Sequence, residues 1–250
     1  MQIEIASLSL IGHRDENQDR LATRERDNAV FAAVVDGMGG HHGGARAAEI
    51  ATAVMMDMFE QIDLPVFHPR EFLSQCIESA HGAVVQLGAS LPLDARPRAT
   101  CAVALVQNDK AYWAHVGDSR VYHLRGRRVQ SRTRDHSHIE ILLREGLIRE
   151  DEYREHPLRN YVEHCIGGEP REPTISIAGA KSMERGDVLL LCTDGLWGGA
   201  DDDVIAACFP SGFADLDLGS NLRELMETAI EAEAPHGDNT SAIVIHWLGE

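Results

Sequence analysis

The sequence predicts an α+β fold, in which antiparallel strands and helices form separate groups along the chain. Short runs rich in Val, Ile and Leu are typical of strands, and they occur in clusters that do not alternate one for one with helices. Residues 107–110 and 125–128 have the polar and glycine composition of hairpin connections, which join antiparallel neighbours. Helical spacing of apolar residues is confined to a few longer segments.

The predicted elements follow one another along nearly the whole chain. Strands are predicted at 2–11, 28–35, 101–107, 111–117, 120–124, 174–178, 187–193 and 240–247. Apolar residues recur at steps of three and four within about 47–58 and 72–84, and more weakly within about 219–233, which predicts three helices that each place one apolar stripe on a sheet. The aspartates at 201–203 are typical of the N-cap and first turn of a short helix, which Pro210 would end.

Residues 133–172 differ from the rest of the chain. They are rich in charge, contain Pro157 and Pro170, are followed directly by Pro173, and show only short helical pieces at 139–143 and 149–154. We interpret them as an insertion on the surface of the core. No linker divides the remaining sequence, so we expect one catalytic domain over residues 1–250.

Composition excludes several classes of protein. The chain has 250 residues, of which 44% are hydrophobic and 25% charged, as in ordinary globular proteins. Its formal net charge of −17 argues against nucleic acid or an anionic membrane surface as a partner. The start of the sequence is unlike a signal peptide, and the longest apolar run, 29–35, is far too short for a membrane helix. We therefore expect a cytoplasmic protein, and a monomer because the apolar stripes are accounted for by the core.

The five cysteines do not indicate a disulfide framework or a thiolate metal site. Their number is odd, no two have C-x-x-C spacing, and four lie within apolar stretches. Buried, reduced thiols fit this pattern best.

Aspartates at the ends of strands are the most informative feature. Asp36 and Asp194 each follow an apolar run and precede glycine, Asp118 follows Gly117 at the end of another run, and Asp238 comes just before the last strand. A buried carboxylate is costly unless it is paired or binds a cation, so four of them at strand ends predict a shared acidic pocket. Oxygen ligands suit Mg²⁺ or Mn²⁺, and a glycine lets the main chain approach such an ion closely.

A simpler interpretation is available for each of these aspartates taken alone. Asp-Gly is a common turn dipeptide, which could explain any one of these positions alone but not all four. The histidine pairs at 41–42 and 136–138 fit loop or supporting roles better than metal ligation. The sequence also lacks a P-loop, a dinucleotide-binding glycine motif and a G-x-S-x-G elbow. Without such a nucleophile, a water activated by two metal ions is the natural attacking group for displacement at phosphorus.

Seven segments, in order, resemble the bacterial type 2C metal-dependent protein serine/threonine phosphatases. They are 12–19 (GHRDENQD), 35–41 (VDGMGGH), 114–122 (AHVGDSRVY), 135–137 (DHS), 156–160 (HPLRN), 191–196 (LCTDGL) and 237–240 (GDNT). Each alone could arise by chance, whereas the ordered set is specific and spans nearly the whole chain. The resemblance implies a central sandwich of two antiparallel β-sheets flanked by helices in αββα layers, with residues 133–172 as a flap beside the site.

The resemblance also implies roles for individual residues. Asp36 would bridge two Mn²⁺ or Mg²⁺ ions and the Gly37 carbonyl would bind one of them. Asp194 and Asp238 would complete the ligands of the other ion, and Asp118 with Asp194 would hold a third ion, as in bacterial members of the family. The resemblance implies three catalytic residues. Arg14 would bind the substrate phosphate, Asp19 would orient metal-bound water, and Asp36 would act as the bridging ligand.

The sequence departs from the family pattern at a few positions. Gln18 stands where many members carry Glu, and Met38 stands where animal members carry a histidine proposed as the general acid. The proton donor is therefore unassigned, with His41 and His42 as candidates. Residues 161–167 differ from the Thr-containing stretch usual in the flap, which bears on substrate contacts.

The function implied is one-step hydrolysis of phosphoserine and phosphothreonine in proteins, by a water or hydroxide that bridges two metal ions. The substrates would be phosphoproteins made by a partner serine/threonine kinase, or that kinase itself. Two alternatives stay open: a non-catalytic phosphoprotein-binding module of the same fold, and a phosphoesterase for small molecules. The basic residues between Arg125 and Arg134 are interpreted as a solvated hairpin and its exit, in preference to a nucleic-acid site.

Overall fold

The computed structural model describes residues 1–38, 43–149, 152–153, 156–159, 161–210 and 217–249. The strands are β1 (Gln2–Leu10), β2 (Asp19–Arg26), β3 (Ala29–Met38), β4 (Arg98–Gln107), β5 (Lys110–Val116), β6 (Arg120–Arg125), β7 (Arg128–Arg132), β8 (Ile166–Gly167), β9 (Ser176–Ile177), β10 (Lys181–Ser182), β11 (Val188–Cys192) and β12 (Thr240–Gly249). The helices are α1 (Gly43–Gln61), α2 (Pro69–Leu87), α3 (His138–Arg144), α4 (Asp194–Gly199), α5 (Asp202–Ala207) and α6 (Leu218–Ala232).

The strands form two antiparallel sheets. The first has the order β1-β12-β11-β6-β7, and the second the order β10-β5-β4-β3-β2, with β8 beside β4 and β9 beside β5. Every strand pairing in the two sheets is antiparallel. The predicted α+β class with two antiparallel sheets is confirmed.

Strand alternation divides the apolar residues among three layers of core. In β3, Phe31 and Val35 pack with α1 and α2, whereas Val30 and Val34 pack against the other sheet. The first sheet repeats the arrangement, because one face of β11 and β12 packs on α4, α5 and α6 while the other meets the second sheet. The three cores therefore lie between four layers of secondary structure, in the order α1 and α2, the second sheet, the first sheet, and α4 to α6.

Both predicted hairpins are confirmed. Gln107 pairs with Lys110 across the β4–β5 turn, and Arg125 pairs with Arg128 across the β6–β7 turn. The predicted strand at 174–178 is reduced to β9. The helices predicted at 47–58, 72–84 and 219–233 correspond to α1, α2 and α6, and the short helix capped at 201–203 is α5.

Residues 133–172 pack on the first sheet at their beginning and on the second sheet at their end. Ile139 of α3 and Tyr153 belong to the core between the first sheet and its helices, and β8 pairs with β4. The predicted helical piece at 139–143 is α3, with Ser137 accepting a hydrogen bond from the Glu140 N–H as its N-cap. The piece at 149–154 falls largely outside the described residues.

The cysteines are free thiols, as their number and spacing in the sequence predict. All five cysteines are free, and burial raises the pKa of Cys76 and Cys101 to about 12, which keeps these thiols protonated. Within the described residues, each helix is too short or too polar to cross a lipid bilayer.

A buried carboxylate joins the β10–β11 turn to β6. The Asp187 side chain is 1% exposed and accepts hydrogen bonds from the Arg125 guanidinium at 2.6 and 2.7 Å and from His123 Nε2 at 2.8 Å. These contacts hold the pKa of Asp187 at about 2 although burial alone would raise it.

We expect Asp187→Asn to lower the free energy of unfolding at neutral pH by about 3 kcal/mol, as when one partner of a buried ion pair is removed. Because the folded-state pKa of Asp187 lies below the ordinary value of 3.8, this stabilisation is complete above about pH 4 and is lost as the pH falls towards 2. Denaturant unfolding at neutral pH and near pH 3 measures the difference between the variant and the wild type.

Glu184→Gln is the control, because Glu184 binds the same arginine but is 68% exposed. This variant should lower the free energy of unfolding by about 0.5 kcal/mol or less. Equal losses in the two variants would contradict this account.

Candidate metal centre

The aspartates singled out in the sequence meet at one end of the sandwich. Asp36 lies near the end of β3 and Asp19 begins β2 directly opposite it in the antiparallel pair. Because Asp36 is two residues beyond Val34, it lies on the face of the second sheet that is turned towards the first sheet. The next two aspartates lie at the ends of strands of the first sheet. Asp194 begins α4 just after β11, and Asp238 lies just before β12.

Asp118 lies in the turn between β5 and β6, where the chain crosses from one sheet to the other. Gly117 has φ +94°, and a Cβ there would lie 2.4 Å from the Thr100 side chain, so glycine is required. Two hydrogen bonds with His136 hold this glycine, from His136 N to its carbonyl at 2.8 Å and from its N–H to His136 Nδ1 at 3.3 Å. Asp118 is therefore presented by a tightly held turn.

Hydrogen bonds across the gap hold the two sheets in register at this end. Thr193 Oγ1, at the end of β11, donates to Asp19 Oδ2 at 2.9 Å. Asn239 ties the β1–β2 loop to the start of β12: its Nδ2 donates to the carbonyls of Ile11 and Glu16, and its Oδ1 accepts from Gln18 N at 2.8 Å. The loop that carries Arg14 is thus fixed beside Asp238.

Burial and mutual repulsion together raise the pKa values of Asp36 and Asp194. The pKa of Asp36 is raised well above its ordinary value, first by burial and then by the charges of Asp19, Asp194, Asp118 and Asp238. The pKa of Asp194 is raised in the same way, and Asp118 is its strongest like-charged neighbour. The five carboxylates therefore form one electrostatic cluster.

Asp19 and Asp118 are the most enclosed members of the cluster, each 3% exposed. Burial is the main cause that raises the pKa of Asp19 to about 6 and that of Asp118 to about 7. Among the described residues, Asp19 Oδ1 and Asp118 Oδ1 are buried without a hydrogen-bond partner. Buried carboxylate oxygens of this kind are the donor set that a hard divalent cation satisfies, so these residues fit Mg²⁺ or Mn²⁺.

The protein side chains do not form a full ligand shell by themselves. In the part of the chain that the structure describes, no three His, Cys, Asp or Glu side chains converge closely enough to hold an ion alone. Mg²⁺ and chemically similar ions keep several waters and are bound through one or two carboxylates each, so a site for them does not require three converging side chains. A closed structural site for zinc would need more protein ligands.

Gly37 is required by the packing of the chain beside it. A Cβ on Gly37 would lie 2.1 Å from the Gly44 carbonyl oxygen, and one on Gly44 would lie 2.5 Å from the Gly37 carbonyl oxygen. This contact between β3 and the start of α1 is sufficient reason for both glycines, whether or not the Gly37 carbonyl binds an ion.

A small cleft of about 50 Å³ opens onto the carboxylates and is bordered by arginines. Arg14, whose side chain is 53% exposed, donates from Nη2 to Asp238 Oδ2 at 2.7 Å. Arg159 enters the same cleft from the 133–172 segment and is bound by the Glu233 carboxylate near the end of α6. The cleft thus combines carboxylates at its base with guanidinium groups at its rim, a combination suited to a phosphate bound next to cations.

Sequence reasoning assigned no role to several residues of this cleft. Arg159 lies within segment 156–160, one of those that carry the family resemblance, and this was the available signal. Glu233, Trp197 and His236 also border the cleft, but they lie outside the seven segments, so no motif pointed to them. Of the candidate proton donors, His41 and His42 lie outside the described residues.

Three of the five basic residues in and after the β6–β7 hairpin have acidic partners, whereas Arg127 and Arg128 are exposed at its turn. Arg125 pairs with Asp187, Arg132 with Asp202 at 2.8 Å, and Arg134 approaches Glu140 at 3.6 Å. Their partners neutralise them, which favours the interpretation as a solvated hairpin and its exit.

Both a family model and individual relatives match this chain as protein phosphatases. A family model described as Protein phosphatase 2C matches residues 9–234. The serine/threonine phosphatase stp of Listeria monocytogenes is 31% identical over 187 residues, which cover 73% of each chain.

Two solved structures share the fold over almost their whole length. The Streptococcus agalactiae serine/threonine phosphatase superposes with a TM-score of 0.88 at 26% identity, covering 98% of this chain and 100% of the other. The catalytic domain of the serine/threonine phosphatase PstP, solved with two manganese ions, has a TM-score of 0.80 at 24% identity, covering 98% and 97%.

We expect Mn²⁺ to bind more tightly at about pH 8 than at about pH 6. Without a cation, Asp19 and Asp118 hold protons with pKa values of about 6 and 7, which the ion must displace. Since these folded-state values lie above the ordinary 3.8, they stabilise the metal-free protein at low pH, and this contribution is lost as the pH rises through about 7. Mn²⁺ should therefore also raise the melting temperature more at the higher pH.

Calorimetric titration and thermal unfolding at the two pH values measure both effects. Asp118→Asn should weaken the pH dependence, whereas Asp203→Asn, an exposed carboxylate in the first turn of α5, should leave it unchanged. An affinity for Mn²⁺ that is equal at the two pH values would contradict the assigned cluster.

Proposed function

Since the chain belongs to the protein phosphatase 2C family, we propose that it hydrolyses phosphoserine and phosphothreonine in proteins at the aspartate cluster, with Mn²⁺ or Mg²⁺ as cofactor. It is a metal-dependent protein serine/threonine phosphatase. One observation carries the assignment to this site. A single cleft is lined by Arg14, Arg159, Asp194 and Asp238, and burial and like charge raise the pKa of Asp194 well above its ordinary value.

The carboxylates have separate roles in this proposal. Asp36 would be a ligand of two ions and the Gly37 carbonyl a ligand of one of them, while Asp194 and Asp238 would complete the ligands of the other ion. Asp118 and Asp194 would hold a third ion, and this is supported by Asp118 being the strongest like-charged neighbour of Asp194. When bound, the ions activate water as a nucleophile and stabilise charge on the phosphoryl oxygens.

The protein residues orient the reacting groups. Asp19 accepts a hydrogen bond from Thr193 through Oδ2, which leaves Oδ1 turned away from that contact to accept a proton from the attacking water. Arg14 offers a planar fork of donors to the phosphate, and its ion pair with Asp238 holds the guanidinium over the carboxylates. Arg159, held by Glu233, approaches the phosphate from the flap side.

The biological setting follows from this activity. The substrates are phosphoproteins produced by a partner serine/threonine kinase, in bacterial signalling within the cytoplasm, and the enzyme acts as a monomer. The family membership and the kinship with bacterial phosphatases support this proposal. A non-catalytic binding module and a phosphoesterase for small molecules are the alternatives that the experiment below separates.

Release of phosphate from a phosphothreonine peptide tests the activity. With Mn²⁺ the wild type should turn over, EDTA should abolish turnover, and Asp36→Ala and Asp194→Ala should each lower kcat by at least about 100-fold, because each removes a ligand from the activating ions. Asp203→Ala is the matched control and should keep full activity. Absence of turnover with Mn²⁺ bound would favour a binding module, and faster release from a phosphosugar than from the peptide would favour the small-molecule alternative.

Arg14→Ala should raise the KM for the phosphopeptide by about tenfold, since a charge-assisted contact to phosphate contributes roughly 1.5–3 kcal/mol. Mn²⁺ affinity should be unchanged or higher, because Asp238 loses its ion pair with Arg14 and becomes more available to an ion. Arg223→Ala is the control, an arginine of similar exposure on α6 that pairs with Glu227 and does not line the cleft. An unchanged KM together with weaker Mn²⁺ binding would show that Arg14 serves only to hold Asp238.

A further inference from the structure

The core between the two sheets changes from apolar to hydroxyl-bearing side chains at its site end. Leu191 of β11 faces the second sheet, and Thr193 is the next residue in that alternation. In β12, Ile243 faces the same way and Ser241 occupies the next position towards the site. Thr193 and Ser241 are fully buried, so their hydroxyls need hydrogen-bond partners inside the protein.

The hydrogen bonds of these hydroxyls connect the Asp19 side chain to the edge strand β1. Thr193 Oγ1 donates to Asp19 Oδ2 at 2.9 Å and accepts from the Ser241 N–H at 3.0 Å. Ser241 Oγ in turn donates to Ser9 Oγ at 2.7 Å, and Ser9 lies directly opposite Ser241 in the β1–β12 pair.

Asn17 closes this path into a ring. Its Nδ2 donates to Ser9 Oγ at 2.8 Å, and its Oδ1 accepts from the main-chain N–H of Asp19 at 3.0 Å. The hydrogen bonds that leave the Asp19 carboxylate therefore return to the Asp19 main chain. We call the five residues Asp19, Thr193, Ser241, Ser9 and Asn17 the hydroxyl ring.

The hydroxyl ring holds Asp19 at both its side chain and its main chain. Rotation of the carboxylate would break the hydrogen bond from Thr193, and movement of the main chain would break the one to Asn17. The other carboxylate oxygen, Oδ1, is buried and has no hydrogen-bond partner among the described residues. The ring therefore fixes the direction in which Oδ1 points, and a small misplacement of a reacting group can be costly in rate.

We propose that Thr193, Ser241, Ser9 and Asn17 position the Asp19 carboxylate for the hydrolytic step, so that the rate of that step depends on a hydrogen-bond ring that reaches the exposed edge of β1. All four are positioning residues, since they act through Asp19 and none of them lines the cleft. The inference rests on the proposed function, in which Asp19 accepts a proton from the attacking water.

Turnover of a phosphothreonine peptide at saturating Mn²⁺ tests the ring. Thr193→Val preserves the side-chain volume but removes Oγ1, and it should lower kcat about tenfold, as for residues that orient an active-site group. KM should not change, because an interaction that serves only the chemical step affects kcat and kcat/KM equally. Thr193→Ser restores the hydroxyl and should recover kcat. Thr133→Val is the matched control, a buried threonine outside the ring whose Oγ1 accepts from the Val121 N–H at 3.0 Å.

Ser9→Ala tests the ring from its exposed side. It should lower kcat about threefold, as for a substitution that acts through other residues. The melting temperature should hardly change, because Ser9 is exposed. Ser7→Ala is the matched control, since Ser7 is also exposed and lies two residues earlier on the same face of β1. Wild-type kcat in Ser9→Ala would overturn the ring, and so would an equal loss of kcat in Ser7→Ala.

A double-mutant cycle separates positioning from a general loss of structure. In an Asp19→Asn background, Thr193→Val and Ser9→Ala should each have no further effect on kcat, because the carboxylate through which they act has been removed. The same fold-loss with and without Asp19 would contradict the ring.

Failure of the proposed function gives a different result. If the wild type binds Mn²⁺ but does not turn over the peptide, the proposed function fails and the ring has no reaction to serve. If the wild type is active and Asp19→Asn keeps its kcat, the role of Asp19 fails and the ring fails with it. If Asp19→Asn lowers kcat but Thr193→Val and Ser9→Ala do not, only the ring is wrong.

Discussion

Repulsion among buried carboxylates is the constraint on which the rest of this structure depends. Burial and like charge raise the pKa values of Asp36 and Asp194 well above the ordinary range, so the folded protein keeps an unfavourable cluster at one end of its sandwich. Such a cluster persists only where surrounding packing holds it and where a cation can relieve it. The same electrostatic cost that destabilises the metal-free protein supplies the affinity for divalent ions.

The sandwich holds this cluster through contacts at the ends of strands. The core between the sheets sets the separation of β3 from β11, and the Thr193–Asp19 hydrogen bond continues that register into the site. Asn239 adds three hydrogen bonds that fix the loop carrying Arg14. A rigid scaffold of this kind positions polar groups that would otherwise separate.

Elements that depend on tertiary contacts escaped the sequence analysis. The edge strand β2, with the sequence DRLATRER, carries charge at most positions, so it has almost no apolar pattern and is held by pairing with β3. The helix α4, DGLWGG, contains three glycines, which have poor intrinsic helix propensity, and it is held by the burial of its Leu and Trp side chains. The two β hairpins and the helices α1, α2 and α6 were predictable because their signals are local and periodic.

The sequence by itself determined the α+β class, the family and the placement of Asp36, Asp118, Asp194 and Asp238 at strand ends, since strand runs, turn residues and ordered motifs are properties of contiguous segments. Only the tertiary structure decided that Asp238 pairs with Arg14, 224 positions away along the chain, and that Arg120 stacks on Trp197. Contacts between distant segments depend on the packing of whole layers against one another. No local pattern encodes them, because the same arginine or tryptophan in the same motif could face solvent, core or site until the sheets and helices close around it.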